Sequence, residues 1–347
     1  MRLASLKSDL PKRSVRFELC AAFLLALLCL RGADLARRPS RPSETFAAWR
    51  ERVVVQVGDV FDPPASHWVA GVLLGADEGF SRRWIEDFRR TGTSHLTAVS
   101  GYNVGIVLVG AQALLLRLPI GRGARTALAL AVVAGFVLLT GNPGSVLRAA
   151  VMAAAVEAGR HFGRPVRPLR ALLLAALLIG IVSPRSLVDD RGFQLSVAAA
   201  FGLATLAPPL AATLFRRLPA TLAEWGSQTL AATIATAPLI AWMTGNYSLV
   251  ALPANIAVAA FIPPVMAGGA ALLAVSLVSL PLARILAGAG EGLFTLPLAI
   301  VRGMASLPAA SVSGLAAFAA LIAAEAVAVA LVLRWRRSAS LRYGLFD

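Results

Sequence analysis

The chain has 347 residues, 58% hydrophobic and 15% charged, with a formal net charge of +15. A soluble protein of this length carries more charge and fewer continuous apolar runs, and a transmembrane β-barrel alternates polar and apolar residues in strands of about 10 residues, so both classes are excluded. What remains is an all-α polytopic integral membrane protein, because several apolar runs approach or exceed the roughly 20 residues that cross a bilayer.

Residues 1–16 are polar and basic and hold both lysines, Lys7 and Lys12. Residues 17–30 form a short apolar run. Arg31 and Asp34 follow it where a signal peptide would have a small-residue cleavage site, so the expectation is an uncleaved first membrane helix. Cys20 and Cys29 both lie in this run, half a helical turn out of phase, and cannot bridge within it. With no other cysteine there is no disulfide framework and no cysteine metal site.

Residues 31–94 are the least hydrophobic part. Val53–Val60 reads as a short strand or amphipathic turn, and Asp62-Pro63-Pro64 breaks the chain. Residues 66–90 read as an amphipathic helix with Trp68, Val69, Val72, Leu73, Trp84, Ile85 and Phe88 on its apolar side. Arginine and tryptophan together on such a helix suit a membrane surface.

Nine apolar segments follow, at about 95–116, 126–140, 145–159, 169–183, 192–214, 221–243, 248–279, 284–307 and 313–333. With the first helix they predict about ten transmembrane helices. Several are short, and 248–279 is interrupted by Pro253, Pro263 and Pro264. Short and broken helices suit a protein that lines a pathway.

If the N-terminus lies inside, the inner loops carry Arg117, Arg122 and Arg125, then Arg160, Arg164, Arg167 and Arg170, then Arg216 and Arg217, and finally Arg334, Arg336, Arg337 and Arg342. The outer turns hold Arg185 opposite Asp189 and Asp190. This asymmetry follows the positive-inside rule and predicts a multi-pass inner-membrane protein with both termini cytoplasmic. The ten arginines of 31–94 fall outside by this count, where they lie on anionic headgroups or gather a polyanion.

The segment after Arg90 loads its first turns with Thr93, Ser94, His95, Thr97, Ser100 and Asn103, and thins its backbone at Gly92, Gly101 and Gly105. Polar groups at membrane depth are costly unless they face protein or water, so this helix is expected inside a bundle with its first half near something wet. Ser100-Gly101-Tyr102-Asn103 reads as a local unwinding that bares carbonyls to a pore, or as a tight small-residue contact. Ser94 beside His95 does not read as a hydrolase pair, since sequence neighbours on a helix point about 100° apart. Capping by Thr93 or Ser94 is the plainer reading. Arg148, near the start of its helix, reads as a phosphate contact or as an ion pair with Asp189 or Asp190. Gln194, Ser196 and Asn255 sit at the ends of apolar runs, where interhelical hydrogen bonds are commoner than substrate contacts. Glu157 has Arg160 and Arg164 within reach. No Gly-x-x-x-x-Gly-Lys loop occurs.

The run Phe88-Arg-Arg-Thr-Gly-Thr-Ser-His-Leu-Thr-Ala-Val-Ser-Gly-Tyr-Asn-Val-Gly105 resembles the signature of ComEC-type competence proteins. Leu73-Leu74-Gly75, Pro143-Gly-Ser-Val-Leu-Arg-Ala-Ala-Val-Met152, Gly192-Phe-Gln-Leu-Ser196, and Ala237-Pro-Leu239 with Pro253-Ala-Asn255 resemble further family elements in the family's order. The resemblance is specific over about 66–280 and rests on hydropathy alone over 281–335. It implies an inner-membrane channel that admits a single strand of DNA during natural transformation. It implies single-stranded DNA and membrane lipids as contacts, and a DNA receptor, a cytoplasmic motor ATPase, a separate nuclease and further copies of the chain as partners. No cofactor, metal or enzymatic activity is expected. Residues 36–65 are too short for the family's outer OB-like domain, and no His-x-His-x-Asp-His cluster occurs, so a minimal or degenerate competence domain is expected.

The expected division is 1–35 basic N-terminus and first helix, 36–94 basic extracytoplasmic segment, 95–335 channel domain and 336–347 basic tail. The pathway candidates are Thr93, Ser94, His95, Ser100, Asn103, Arg148, Gln194, Ser196 and Asn255. Gly92, Gly101, Gly105, Pro143, Gly192, Phe193 and Pro253 hold the motifs' backbone. The rival expectations are a transporter of another anionic or polar solute, a membrane enzyme using Ser94, His95 or Ser100, and a remnant without transport.

Overall fold

The computed structural model describes residues 44–76, 78–141, 144–164, 166–182, 190–308 and 310–314, with a few single positions beyond. The first apolar run, Pro143, Asp189, most of 313–333 and the basic tail lie outside the described residues. Among the described residues the chain is all-α apart from one two-stranded antiparallel ladder.

Helix α1 spans Glu44–Val60. The short strand or amphipathic turn expected at Val53–Val60 is therefore the end of a 17-residue helix. Val57 and Val60 are buried while Val53 and Val54 pack beside them, a spacing of three and four residues that places the valines on one helical face. The helix expected over 66–90 is two helices, α2 Ala65–Leu74 and α3 Arg82–Thr91. Helix α2 is apolar apart from Ser66 and His67 and is buried accordingly, with Trp68, Val69 and Val72 fully enclosed. The surface reading of Trp68 is thus corrected: its ring stacks on Phe88 inside the protein at 6.3 Å. Helix α3 alone is amphipathic, with Phe88 and Thr91 inward and its arginines outward.

Then come α4 Gly101–Leu115, α5 Arg122–Leu139, α6 Gly144–His161, α7 Pro168–Val182, α8 Arg191–Thr205, α9 Ala207–Thr213 and α10 Ala220–Thr244. After strand β1, Asn246–Ser248, the chain forms α11 Ala251–Ala259, α12 Ile262–Ser276, α13 Leu280–Ala289 and α14 Glu291–Ala305. Strand β2, Ser311–Ser313, pairs with β1 in the register Tyr247 to Val312.

The long segment 248–279 divides at Ala260, and Pro263 and Pro264 sit in the first turn of α12, where a missing N–H is harmless. The segment 192–214 bends by 44° between α8 and α9, and 284–307 starts earlier, at Leu280, and bends by 52° between α13 and α14. By length and composition three helical runs suffice to cross a membrane, Ser94–Leu115, Arg122–Leu139 and Ala251–Ser276, or five if each bent pair is one span. These counts hold for the described residues, which leave out the first apolar run and most of 313–333, two of the ten segments read from hydropathy. Helix α7 is short, and α6 carries Arg148, Glu157 and Arg160.

The main core forms around α2, which packs against α1, α12 and α14. Two smaller clusters lie elsewhere, one joining α7 to α8 and one joining α9 to α10. Gly202 lets α8 and α10 touch, since a Cβ there would stand 2.5 Å from the Ala231 carbonyl oxygen.

Candidate functional site

The signature stretch begins where α3 stops. Gly92 takes φ +66°, and the N–H groups of Gly92 and Thr93 bond back to Arg89 O and Phe88 O. A Cβ on Gly92 would lie 2.9 Å from Ala251 Cβ, so this turn sits directly on the start of α11. Thr93 is fully buried, with its Oγ1 2.7 Å from that of Thr91. Ser94–Leu96 form one 3₁₀ turn, not the opening of the long helix, and Thr93 makes no side-chain cap there. Ser94 and His95 are exposed at this turn.

Helix α4 starts only at Gly101, after extended Ser100. Ser100 Oγ donates to Asn103 Oδ1 at 2.9 Å, and Asn103 Nδ2 donates to Val72 O at 2.8 Å. The last carbonyls of a helix have no partner within it. In α2, Gly75 closes the end in the left-handed conformation, Asn103 takes Val72 O, and Arg50 on α1 takes Leu74 O at 3.0 Å and Gly75 O at 2.8 Å. Leu73-Leu74-Gly75 is therefore a helix terminus held by side chains of two other helices. The carbonyls here are engaged, and Asn103 itself is 3% exposed. Gly101 serves close contact, since a Cβ there would stand 3.3 Å from Ala149 Cβ on α6, whereas Gly105 faces open space.

Arg148 on α6 is the most enclosed cation described, at 2% exposure. Its Nη1 lies 3.2 Å from Asp190 Oδ2, and its Nη2 donates to Gly192 O at 2.6 Å and to Ser196 Oγ at 2.7 Å. The guanidinium also lies over the Phe193 ring, 5.1 Å from its centroid. Asp190 caps α8 with its other oxygen, accepting from Phe193 N–H at 3.1 Å. Gly144 makes room for this carboxylate, because a Cβ at 144 would overlap Asp190 Oδ2. Gln194 is half-buried one position on from Phe193.

Ser145 Oγ donates to Val99 O at 3.4 Å, so the start of α6 touches the signature loop on one side and α8 on the other. Three sequence elements around residues 88–105, 143–152 and 192–196 thus meet along α6. Asn255 is not part of this meeting. It is buried on α11, with Oδ1 lacking a hydrogen-bond partner, and Pro253 is exposed nearby.

At the other end of α6, Glu157 is buried and paired to Arg160 at 3.0 Å. Helix α3 docks on α14 through Arg302, which lies 3.9 Å from the Trp84 ring centroid and 3.8 Å from Asp87 Oδ2. Glu86 beside them is held below the ordinary carboxylate range by the hydrogen bond from Arg89. Among the described residues no three of His, Cys, Asp and Glu gather as a metal site would need.

The double duty of Asp190 was open to sequence reading, as an Asp immediately before a helix is a standard cap signal. The roles of Arg50 and Gly144 had no such signal, because their partners lie 24 or more residues away.

A family model described as Competence protein matches residues 72–338. The chain is 30% identical over 223 residues to ComE operon protein 3 of Bacillus subtilis (strain 168), covering 62% of this chain and 27% of that protein. No solved structure matches. The chain spans about a quarter of that relative's length. With the family model covering most of the sequence, the chain belongs to the Competence protein family.

Proposed function

We propose that this chain is a membrane component of DNA uptake, forming a passage for one DNA strand across the inner membrane. The observation that carries the reading is the convergence of three family motifs on α6. Polar and charged groups stand at both ends of that helix, Arg148 with Asp190 at one and Glu157 with Arg160 at the other. A strand with a charge on every phosphate needs a wet path and groups that do not hold it too tightly. Arg148 is too enclosed to touch a phosphate while α6 and α8 are closed. Its part is to fasten that seam, and exposed Ser94 and His95 meet the strand. The roughly ten helices expected from hydropathy, with both termini cytoplasmic, complete the span. A receptor, a cytoplasmic motor and a nuclease supply capture, drive and strand removal.

The test is entry of end-labelled DNA into a nuclease-protected pool. It compares cells carrying the wild-type chain, a deletion, Arg148→Ala, or Ser94→Ala with His95→Ala. Deletion is expected to abolish protected DNA, and each variant to lower it with the protein still in the membrane. Unchanged uptake after deletion in demonstrably competent cells overturns the reading and leaves transport of another anionic solute.

A further inference from the structure

We infer that the cleft formed by the C-terminal ends of α4 and α6 and the N-terminal end of α5 binds the phosphate headgroup of an anionic phospholipid. The cleft measures about 240 Å³ and is lined by Arg122, Arg125 and Arg160 against a single carboxylate, Glu157, with Gln112 and Leu116 at its edge. That volume admits a headgroup and is below the usual size of a drug-like pocket.

The charge is unbalanced. Glu157 is occupied by Arg160 Nη1 at 3.0 Å. Arg125 Nη2 donates to Ile120 O at 3.2 Å, while its Nε is buried without a partner. Arg122 is exposed and has no carboxylate partner among the described residues. Three guanidinium groups therefore share one small space with one carboxylate, and a phosphate oxygen supplies the missing counter-charge.

The surroundings point to a lipid. On α4, Val109 lies on the same face as Gln112 and Leu116, by three- and four-residue spacing. On α5, Leu128 and Val132 continue the face of Arg125 in the same way. Val109 is 65% exposed, Leu128 46% and Val132 48%, so apolar surface runs from the basic cleft along both helices. A basic headgroup site with open apolar faces beside it is the shape of a phospholipid. Single-stranded nucleic acid is held by stacking of successive bases on several aromatic faces, and the cleft offers one ring, that of His161.

The inference rests on the membrane-spanning reading, with this end toward the cytoplasmic leaflet, but not on DNA uptake. The full chain in detergent is titrated with phosphatidylglycerol, phosphatidylcholine and a thymidine oligonucleotide, and bound ligand is counted by native mass spectrometry. Phosphatidylglycerol is expected to bind and phosphatidylcholine not. Arg122→Gln with Arg125→Gln weakens that binding at least about tenfold, while Arg216→Gln with Arg217→Gln does not. Arg122→Gln alone, at an exposed position, shows a partial loss should the double variant fold poorly. Equal binding in wild type and variants overturns the inference. So does displacement of the lipid by the oligonucleotide, which would assign the cleft to nucleic acid. Alkaline extraction of membranes separately asks whether the chain is integral, so the two failures are distinguishable.

Discussion

Asp190 neutralises a buried arginine with one oxygen and caps a helix with the other. Arg148 is enclosed but Asp190 is 32% exposed, so removing the carboxylate costs less than the roughly 3–5 kcal/mol of a fully buried pair, and losing a cap costs about 1 more. Asp190→Ala is therefore expected to destabilise the protein more than Asp190→Asn, which keeps an oxygen for the Phe193 N–H. Combining Asp190→Ala with Arg148→Met recovers part of the loss, because no charge is then stranded. Thermal unfolding in detergent reads all three, and equal effects of Asp190→Ala and Asp190→Asn would refute the double role. Gly144→Ala is expected to resemble Asp190→Ala in the same assay, since its methyl group takes the carboxylate's place.

The terminus of α2 shows how one helix depends on others. Arg50→Ala removes both donors to Leu74 O and Gly75 O, and Asn103→Ala removes the donor to Val72 O. Each is expected to cost about 1–2 kcal/mol, read as a lowered unfolding temperature. No change in either would mean that water replaces these donors. At this scale the sequence was partly legible. The interruption of 248–279 by prolines read directly from local backbone chemistry, whereas the glycine terminators at Gly75 and Gly92 did not, since one helix was expected to run through Gly75. The burial of Trp68 was also readable, because α2 is apolar from Trp68 to Leu74, but its arginine-rich neighbours drew the reading toward a surface helix. Val53-Val54-Val55 looks like a strand by propensity. It is helix because Val57 and Val60 find the core at helical spacing, a tertiary preference that propensity does not carry. The Arg148 pairing was legible as one of two options, and only the enclosure of the guanidinium favours the ion pair over an open phosphate contact.

For the whole molecule, the positive-inside reading puts Arg122 and Arg160 on one side of the membrane and Ser94 on the other. The structure places Arg122 and Arg160 around one cleft. In a background with Cys20 and Cys29 replaced by serine, Arg122→Cys is expected to react with an impermeant thiol reagent only after the cells are opened, and Ser94→Cys in intact spheroplasts. Labelling of both from the same side would overturn the topology. The Asp190 arrangement also provides a built-in clock. The Phe193 amide is shielded by the same carboxylate that holds Arg148, so it can trade its hydrogen for deuterium only when that carboxylate lets go. Asp190 belongs to the end of α8 that it caps, so the cap outlasts a parting of α6 from α8, which must also break the bonds of Arg148 to Gly192 O and Ser196 Oγ. The exchange rate at Phe193 counts how often the first turn of α8 frays, and its rise in Arg148→Met measures how far the arginine steadies that cap, without any DNA present.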